Sequence, residues 1–235
     1  MNILPTLELP EYSLKIPSSG KKITYRPYLV KEEKVLLLAL ESEDPDQIEN
    51  AINATVLNCI PDNIKLEDLT IFDLEYIFVK IRAKSVGETS DLTYTCLKED
   101  CEEKTKVKVN FDDIKVINLN ESDMRKDLGN QLIIDLKYPS VGDRQKFENI
   151  KDEDILVTSV ALSIKTIYYK DEIYDTNTIS LEEVIEFLGN MNTNQFNPLL
   201  ASLLSTPHIN YDIEWKCKCG EENKIGYNSL ADFFI

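Results

Sequence analysis

Two pairs of cysteines lie far apart in the chain, Cys96 with Cys101 and Cys217 with Cys219. Each pair sits between or beside β-prone runs. "SDLTYT" leads into Cys96 and "KTKVKVNF" follows Cys101, while "HINYDIEW" leads toward Cys217 and Gly220 directly follows Cys219. Each pair therefore reads as the tip of a hairpin, and two thiolate-bearing tips facing each other make a zinc ribbon. Zn²⁺ takes four sulfurs at about 2.3 Å in a tetrahedron that is closed to substrate. Gly220 lets the backbone curl so that N–H groups point at sulfur. Lys98, Lys104, Lys216 and Lys218 offset part of the negative charge of such a centre. A fold that closes this site must bring the middle of the chain to its end.

The pairs are spaced CxxxxC and CxC, not the usual CxxC, so two other readings stay open. The four residues are ordinary reduced cysteines without metal, or they form a redox dithiol, although nothing in the chain resembles thioredoxin. The fifth cysteine, Cys59, falls on the apolar side of a predicted helix and reads as a core residue. An odd cysteine count, and an N-terminus "MNILPTLELPEYSLK" without a basic-then-apolar pattern, argue against a secreted disulfide framework. Synthesis in a cytosol is expected. A metal here does structural work. Zinc in small peptides contributes about 10–16 kcal/mol, against roughly 4–5 kcal/mol for pinning a loop of about a hundred residues.

The rest of the composition mainly excludes. The 235 residues suit one large domain or two small ones, and 43% hydrophobic with 29% charged residues is ordinary for a globular chain. A net charge of −16 repels phosphate backbones and anionic lipid heads, so neither nucleic acid nor a membrane surface is an expected partner. The chain holds no apolar run of membrane-spanning length. With one histidine, His208, a Ser-His-Asp triad or a zincin helix has little to rest on. His208 follows a proline ahead of a strand and reads as a surface or turn residue. Neither GxxxxGK[ST] nor GxGxxG occurs. A carboxylate-based hydrolase remains the enzyme alternative, yet no pair stands out among 42 acidic residues. The expectation is a protein without catalytic residues.

The pattern predicts an α+β fold. A β-hairpin around "PSSGKK" opens it. A short helix follows over 31–42, apolar around much of its circumference and so expected to be deeply buried. Asp44 as N-cap with Pro45 at N1 starts a second helix that ends at Pro61, and a third begins near Thr70. Central antiparallel strands carry the first cysteine knuckle. "NESDMRKDLGN" reads as an exposed polar loop between two of them. "DEDILVTSVALSIKTIYY" reads as a helix ending near Thr166, and "TIYYKDEIYDT" as a small hairpin or extended loop. Ser180 and Glu183 form a capping box for a helix stopped by Gly189, and another helix spans 193–204 before the last strand and knuckle. The segments are 1–87 (hairpin and helices), 88–138 (β-rich) and 139–235 (helical, with the second knuckle), read together as one compact unit. The terminal "SLADFFI" places Leu230, Phe233, Phe234 and Ile235 at the chain end. They either fold onto the core or anchor a partner.

Three stretches resemble the baseplate hub protein family of T4-type bacteriophages. They are "LPEYSLKIPSSGKKITYRPYLVKEEKVLLLALES", "FDLEYIFVKIRAKSVGE", and "SLEEVIEFLGNMNTNQFNPLLASLLSTP" with the Cys-Lys-Cys-Gly knuckle beyond it. The first is the most specific, because Gly-Lys-Lys, Arg-Pro-Tyr and Lys-Glu-Glu-Lys fall together. The resemblance implies a non-enzymatic tail protein that takes part in building the central baseplate hub, as a resident subunit or an assembly chaperone. It implies other hub proteins as partners, and a place in the host cytoplasm during assembly and in the virion tail. The rival reading is a cellular zinc-ribbon adaptor that recruits a partner to a larger complex.

Overall fold

The computed structural model describes residues 7–62, 64–119, 124–144, 146 and 155–227. In chain order, the strands and helices begin with β1 (Tyr12–Lys15), β2 (Lys22–Tyr25), α1 (Val30–Glu41), α2 (Pro45–Cys59) and α3 (Ile71–Val86). Then come β3 (Thr89–Thr95), β4 (Lys104–Asn110), β5 (Lys115–Ile117), β6 (Arg125–Asp127) and β7 (Leu132–Leu136). They are followed by α4 (Val141–Arg144), α5 (Ile155–Leu162), β8 (Ile164–Tyr169), β9 (Glu172–Asp175), α6 (Leu181–Gly189), α7 (Thr193–Leu204), β10 (His208–Lys216) and β11 (Glu222–Tyr227). Every strand pairing is antiparallel and the class is α+β, as the sequence pattern implies. Two compact units divide the chain, one of residues 1–64, 72–117 and 208–235, the other of residues 65–71 and 118–207.

In the first unit, β1 and β2 form a hairpin with Tyr12 opposite Tyr25 and Lys15 opposite Lys22. Its turn needs Gly20, whose φ of 66° is left-handed. Asp44 caps α2 by accepting from the Asp46 and Gln47 N–H groups, and Pro45 takes the first helical position. The buried side of α2 is Ala51, Ile52, Thr55, Val56 and Cys59. Helix α3 is the centre of this unit, with Ile77, Phe78 and Ile81 fully buried. Buried Asp73 on α3 accepts from the Ser18 N–H at 3.0 Å and ties the first hairpin to the helix.

Helix α1 departs from expectation. It buries Glu32, Leu36 and Ala39, while Val35, Leu37 and Leu38 are half exposed. The buried stripe follows i, i+4, i+7, but the sequence puts apolar residues around the whole helix. Composition alone cannot say which stripe faces inward. Glu32 is buried because it meets Arg26, with Nη2–Oε1 at 2.9 Å and Nη1–Oε2 at 3.2 Å.

The second unit is a four-stranded sheet in the order β6-β7-β8-β9, packed against helices. On β7, Leu132, Ile134 and Leu136 alternate inward and share a core with Val160 and Ala161 of α5, Ile164 and Ile167 of β8, Val184 and Leu188 of α6, and Leu199 of α7. Two expectations are corrected here. The segment read as a polar loop contains the short strand β6, and the helix read as running to Thr166 stops at Leu162 so that β8 can begin at Ile164. A continuous apolar run does not separate a helix from a strand by its period. The run over 166–176, read as a small hairpin or extended loop, is a hairpin of β8 and β9, with Thr166 opposite Asp175. Ser180 and Glu183 make their capping box. Gly189, expected just beyond the helix as its C′ residue, is the last residue of α6 and Asn190 its C-cap, so the helix ends two positions later than expected.

Candidate metal centre

Two hairpins of the first unit build the site. In β3–β4, Thr95 lies opposite Lys104 and the chain beyond them closes on itself, with the Cys96 N–H donating to the Glu103 carbonyl at 3.0 Å and the Cys101 N–H to the Lys98 carbonyl at 3.1 Å. Asp100 takes a left-handed φ of 63° to complete the turn, the conformation that Asp and Asn tolerate best after glycine. In β10–β11, Lys216 lies opposite Glu222, the Cys217 N–H donates to the Glu221 carbonyl at 2.9 Å, and the Gly220 N–H donates to the Cys217 carbonyl at 2.9 Å. Gly220 has φ 95°, so a side chain there would strain the turn.

The hairpins lock together beside the tips. Tyr94 packs on Trp215 with ring centroids 5.0 Å apart, and the Tyr227 hydroxyl donates to that of Tyr94 at 2.9 Å. Buried Asn223 reaches across from β11, accepting from the Leu97 N–H at 2.7 Å and donating to the Glu221 carbonyl at 3.2 Å.

This packing brings Cys96, Cys101, Cys217 and Cys219 together, with all four sulfurs within 4.8 Å of one another. Cys96 and Cys219 are 3.8 Å apart through sulfur, and Cys101 and Cys217 are 3.9 Å apart. A tetrahedron with four sulfurs at about 2.3 Å from its centre has edges of about 3.8 Å, so the set matches the outline of a Zn(Cys)₄ site. Cys96 and Cys217 are buried, Cys101 is partly covered and Cys219 is exposed. Cys219 is drawn down to about 7, first by the Glu221 N–H and then by Cys217. At Cys101 the Glu103 N–H pulls the thiol down, but desolvation and the neighbouring sulfurs outweigh it and push the thiol up to about 12. Four sulfurs this close cannot all be thiolates unless a cation sits among them.

The two distant pairs singled out in the sequence are therefore one cluster, and Cys59 is separate from it. Cys59 is fully buried on α2, where desolvation pushes its thiol up to about 11. His208 opens β10 opposite Ile117, inside the strand and not ahead of it, and is no part of the cluster. Leu230, Phe233, Phe234 and Ile235 lie outside the described residues. Sequence reasoning missed Asn223, the buried amide that ties the two tips together. A lone Asn between charged residues carries no signal that it will be buried.

The chain matches the family of the T4 bacteriophage base plate protein over residues 9–235. It belongs to that family. Neither the curated proteins nor the solved structures contain a match to it. This base plate family member is thus a structural protein of the phage baseplate. The match begins before β1 and runs through both cysteine hairpins, so both belong to the family region. Among the described residues, no helix is long and apolar enough to cross a membrane.

Proposed function

We propose that the protein takes part in assembly of the central baseplate hub through protein–protein contacts, without catalysis, and that zinc held by Cys96, Cys101, Cys217 and Cys219 stiffens it for that work. The observation that carries the reading is the match to the base plate family across nearly the whole chain. The sulfur cluster supports the metal: four cysteines from two hairpins, at the spacing of a closed S₄ tetrahedron, offer no open position for a substrate. Zinc would fix the β3–β4 tip to the β10–β11 tip and make this region a rigid surface. Its partners are other hub proteins. The net charge of −16 disfavours nucleic acid and anionic membranes. Assembly takes place in the host cytoplasm.

Mass spectrometry of mature virions beside assembly intermediates tests the role. Presence in both identifies a resident subunit, presence only in intermediates identifies an assembly chaperone, and absence from both overturns the reading. For the metal, protein purified without chelators carries one zinc per chain by elemental analysis. Less than about 0.2 equivalents defeats the assignment.

A further inference from the structure

The groove between α1 and α2 is apolar and open. Val35, Leu38 and Ala39 of α1 and Ala51 and Ala54 of α2 line it with Gln47 and Asn50, around a volume of roughly 370 Å³. Val35, Leu37 and Leu38 are 50%, 54% and 56% exposed, and Leu57 further along α2 is 46% exposed. Scattered surface leucines such as Leu37 and Leu57, which lie outside the lining, need no explanation, but Val35 and Leu38 wall an apolar cleft and form with it a patch of the kind that binds. The three alanines make a low floor between higher walls, which suits side chains projecting from one face of an inserted helix. Both walls are helices with no free backbone edge, so an inserted strand would find no ladder to join.

The charge around the groove narrows the occupant. Glu41, Glu43, Asp44 and Asp46 crowd the turn joining the helices. Asp44 is engaged in capping α2. Glu41, Glu43 and Asp46 have no ion pair among the described residues. Glu41 stands in the last turn of α1, where no basic residue accompanies it and an acid opposes the helix dipole. At the other end of α1, Lys31 and Lys34 are exposed. A second copy of the chain would bring the same acidic turn and the same charge of −16, so self-association is disfavoured.

We propose that this groove receives an amphipathic helix of a partner protein, apolar along one face and basic at the end that meets the α1–α2 turn. The inference rests on reading the chain as a docking component. A groove that refuses such a helix leaves the presence of the protein in virions or assembly intermediates untouched, so the two fail separately.

The test uses the full-length protein and two fluorescein-labelled helical peptides that share one leucine face. One ends in Lys and Arg, the other in Glu. Fluorescence anisotropy at low salt gives the basic-ended peptide at least about tenfold tighter binding. Leu38→Asp, half exposed and compatible with folding, weakens it at least about tenfold, as does Ala54→Trp, which fills the floor. The double variant Glu41→Lys, Glu43→Lys reverses the preference between the peptides. Circular dichroism melts check that each variant is folded. Equal affinity for the two peptides, binding of neither, or undiminished binding by folded Leu38→Asp overturns the proposal. A dimer in sedimentation that Leu38→Asp dissociates also overturns it, because the occupant is then a second copy.

Discussion

The Leu97 N–H donates to Asn223 Oδ1 at 2.7 Å, and this bond ties the first cysteine knuckle to the strand that follows the second. The same side chain donates to the Glu221 carbonyl, so Asn223 serves both tips from a buried position. Asn223→Ala leaves the Leu97 N–H unpaired, while the Glu221 carbonyl keeps its bond from the Cys217 N–H. We expect a loss of about 1–3 kcal/mol in urea denaturation, against less than about 0.5 kcal/mol for the exposed neighbour Glu222→Ala. Equal effects from the two would show that the bridge does not hold the tips.

The five cysteines divide sharply in accessibility. With zinc bound, iodoacetamide at neutral pH modifies none of them quickly. After chelation, exposed Cys219 is modified first, and Cys59, fully buried with its thiol pushed up to about 11, is modified last. Peptide mapping by mass spectrometry reads the order. Cys96→Ser and Cys217→Ser each lower zinc retention, whereas Cys59→Ala leaves the zinc content of the folded protein unchanged.

Arg26 and Glu32 predict a pH dependence. The Arg26 guanidinium also donates to the Asn58 carbonyl at 2.8 Å, so it joins the end of β2, the start of α1 and the end of α2. Burial alone would raise the Glu32 carboxyl, but its hydrogen bonds from Arg26 and the Leu29 N–H hold it below the ordinary carboxylate range. A carboxyl lowered on folding adds stability that is complete above its unfolded pKa and is lost as pH falls through its folded one. Glu32→Gln should cost about 2–3 kcal/mol at pH 7, less than a wholly buried pair because a fifth of the Arg26 side chain stays in water. The gap between wild type and variant closes as the pH drops below about 4. Urea midpoints at pH 7 and pH 3 measure it, and a gap that stays constant would exclude the ion pair as its source.

Much of this architecture was legible because its signals are local. Asp44 and Pro45 announce α2, Ser180 and Glu183 announce α6, and the cysteine pairs announce the two tips. What was not legible depends on partners distant in sequence. Nothing near Glu32 shows that Arg26 will neutralise it in a buried place, and nothing near Asn223 shows that Leu97 will need its oxygen. The apolar circumference of α1 suggested burial on every side, but helices of one unit cover only part of it. The junction of α5 and β8 was missed because an apolar run suits both states. Pairing of Ile164 with Leu136, beside a register shift on β7, decides it.

Helix α7 offers a contrast of position within one element. Leu199 is 1% exposed in the core formed with β7, β8, α5 and α6, whereas Leu204, at the end of the same helix, is 76% exposed. Both substitutions to Ala remove the same atoms and leave helix propensity almost unchanged. Only Leu199→Ala opens a cavity, and it should cost about 2–5 kcal/mol. Leu204→Ala should fall within about 0.5 kcal/mol of wild type. Denaturant midpoints followed by far-ultraviolet circular dichroism separate the two. Equal losses would mean that Leu204 is covered in solution, and the end of α7 would then be a contact surface.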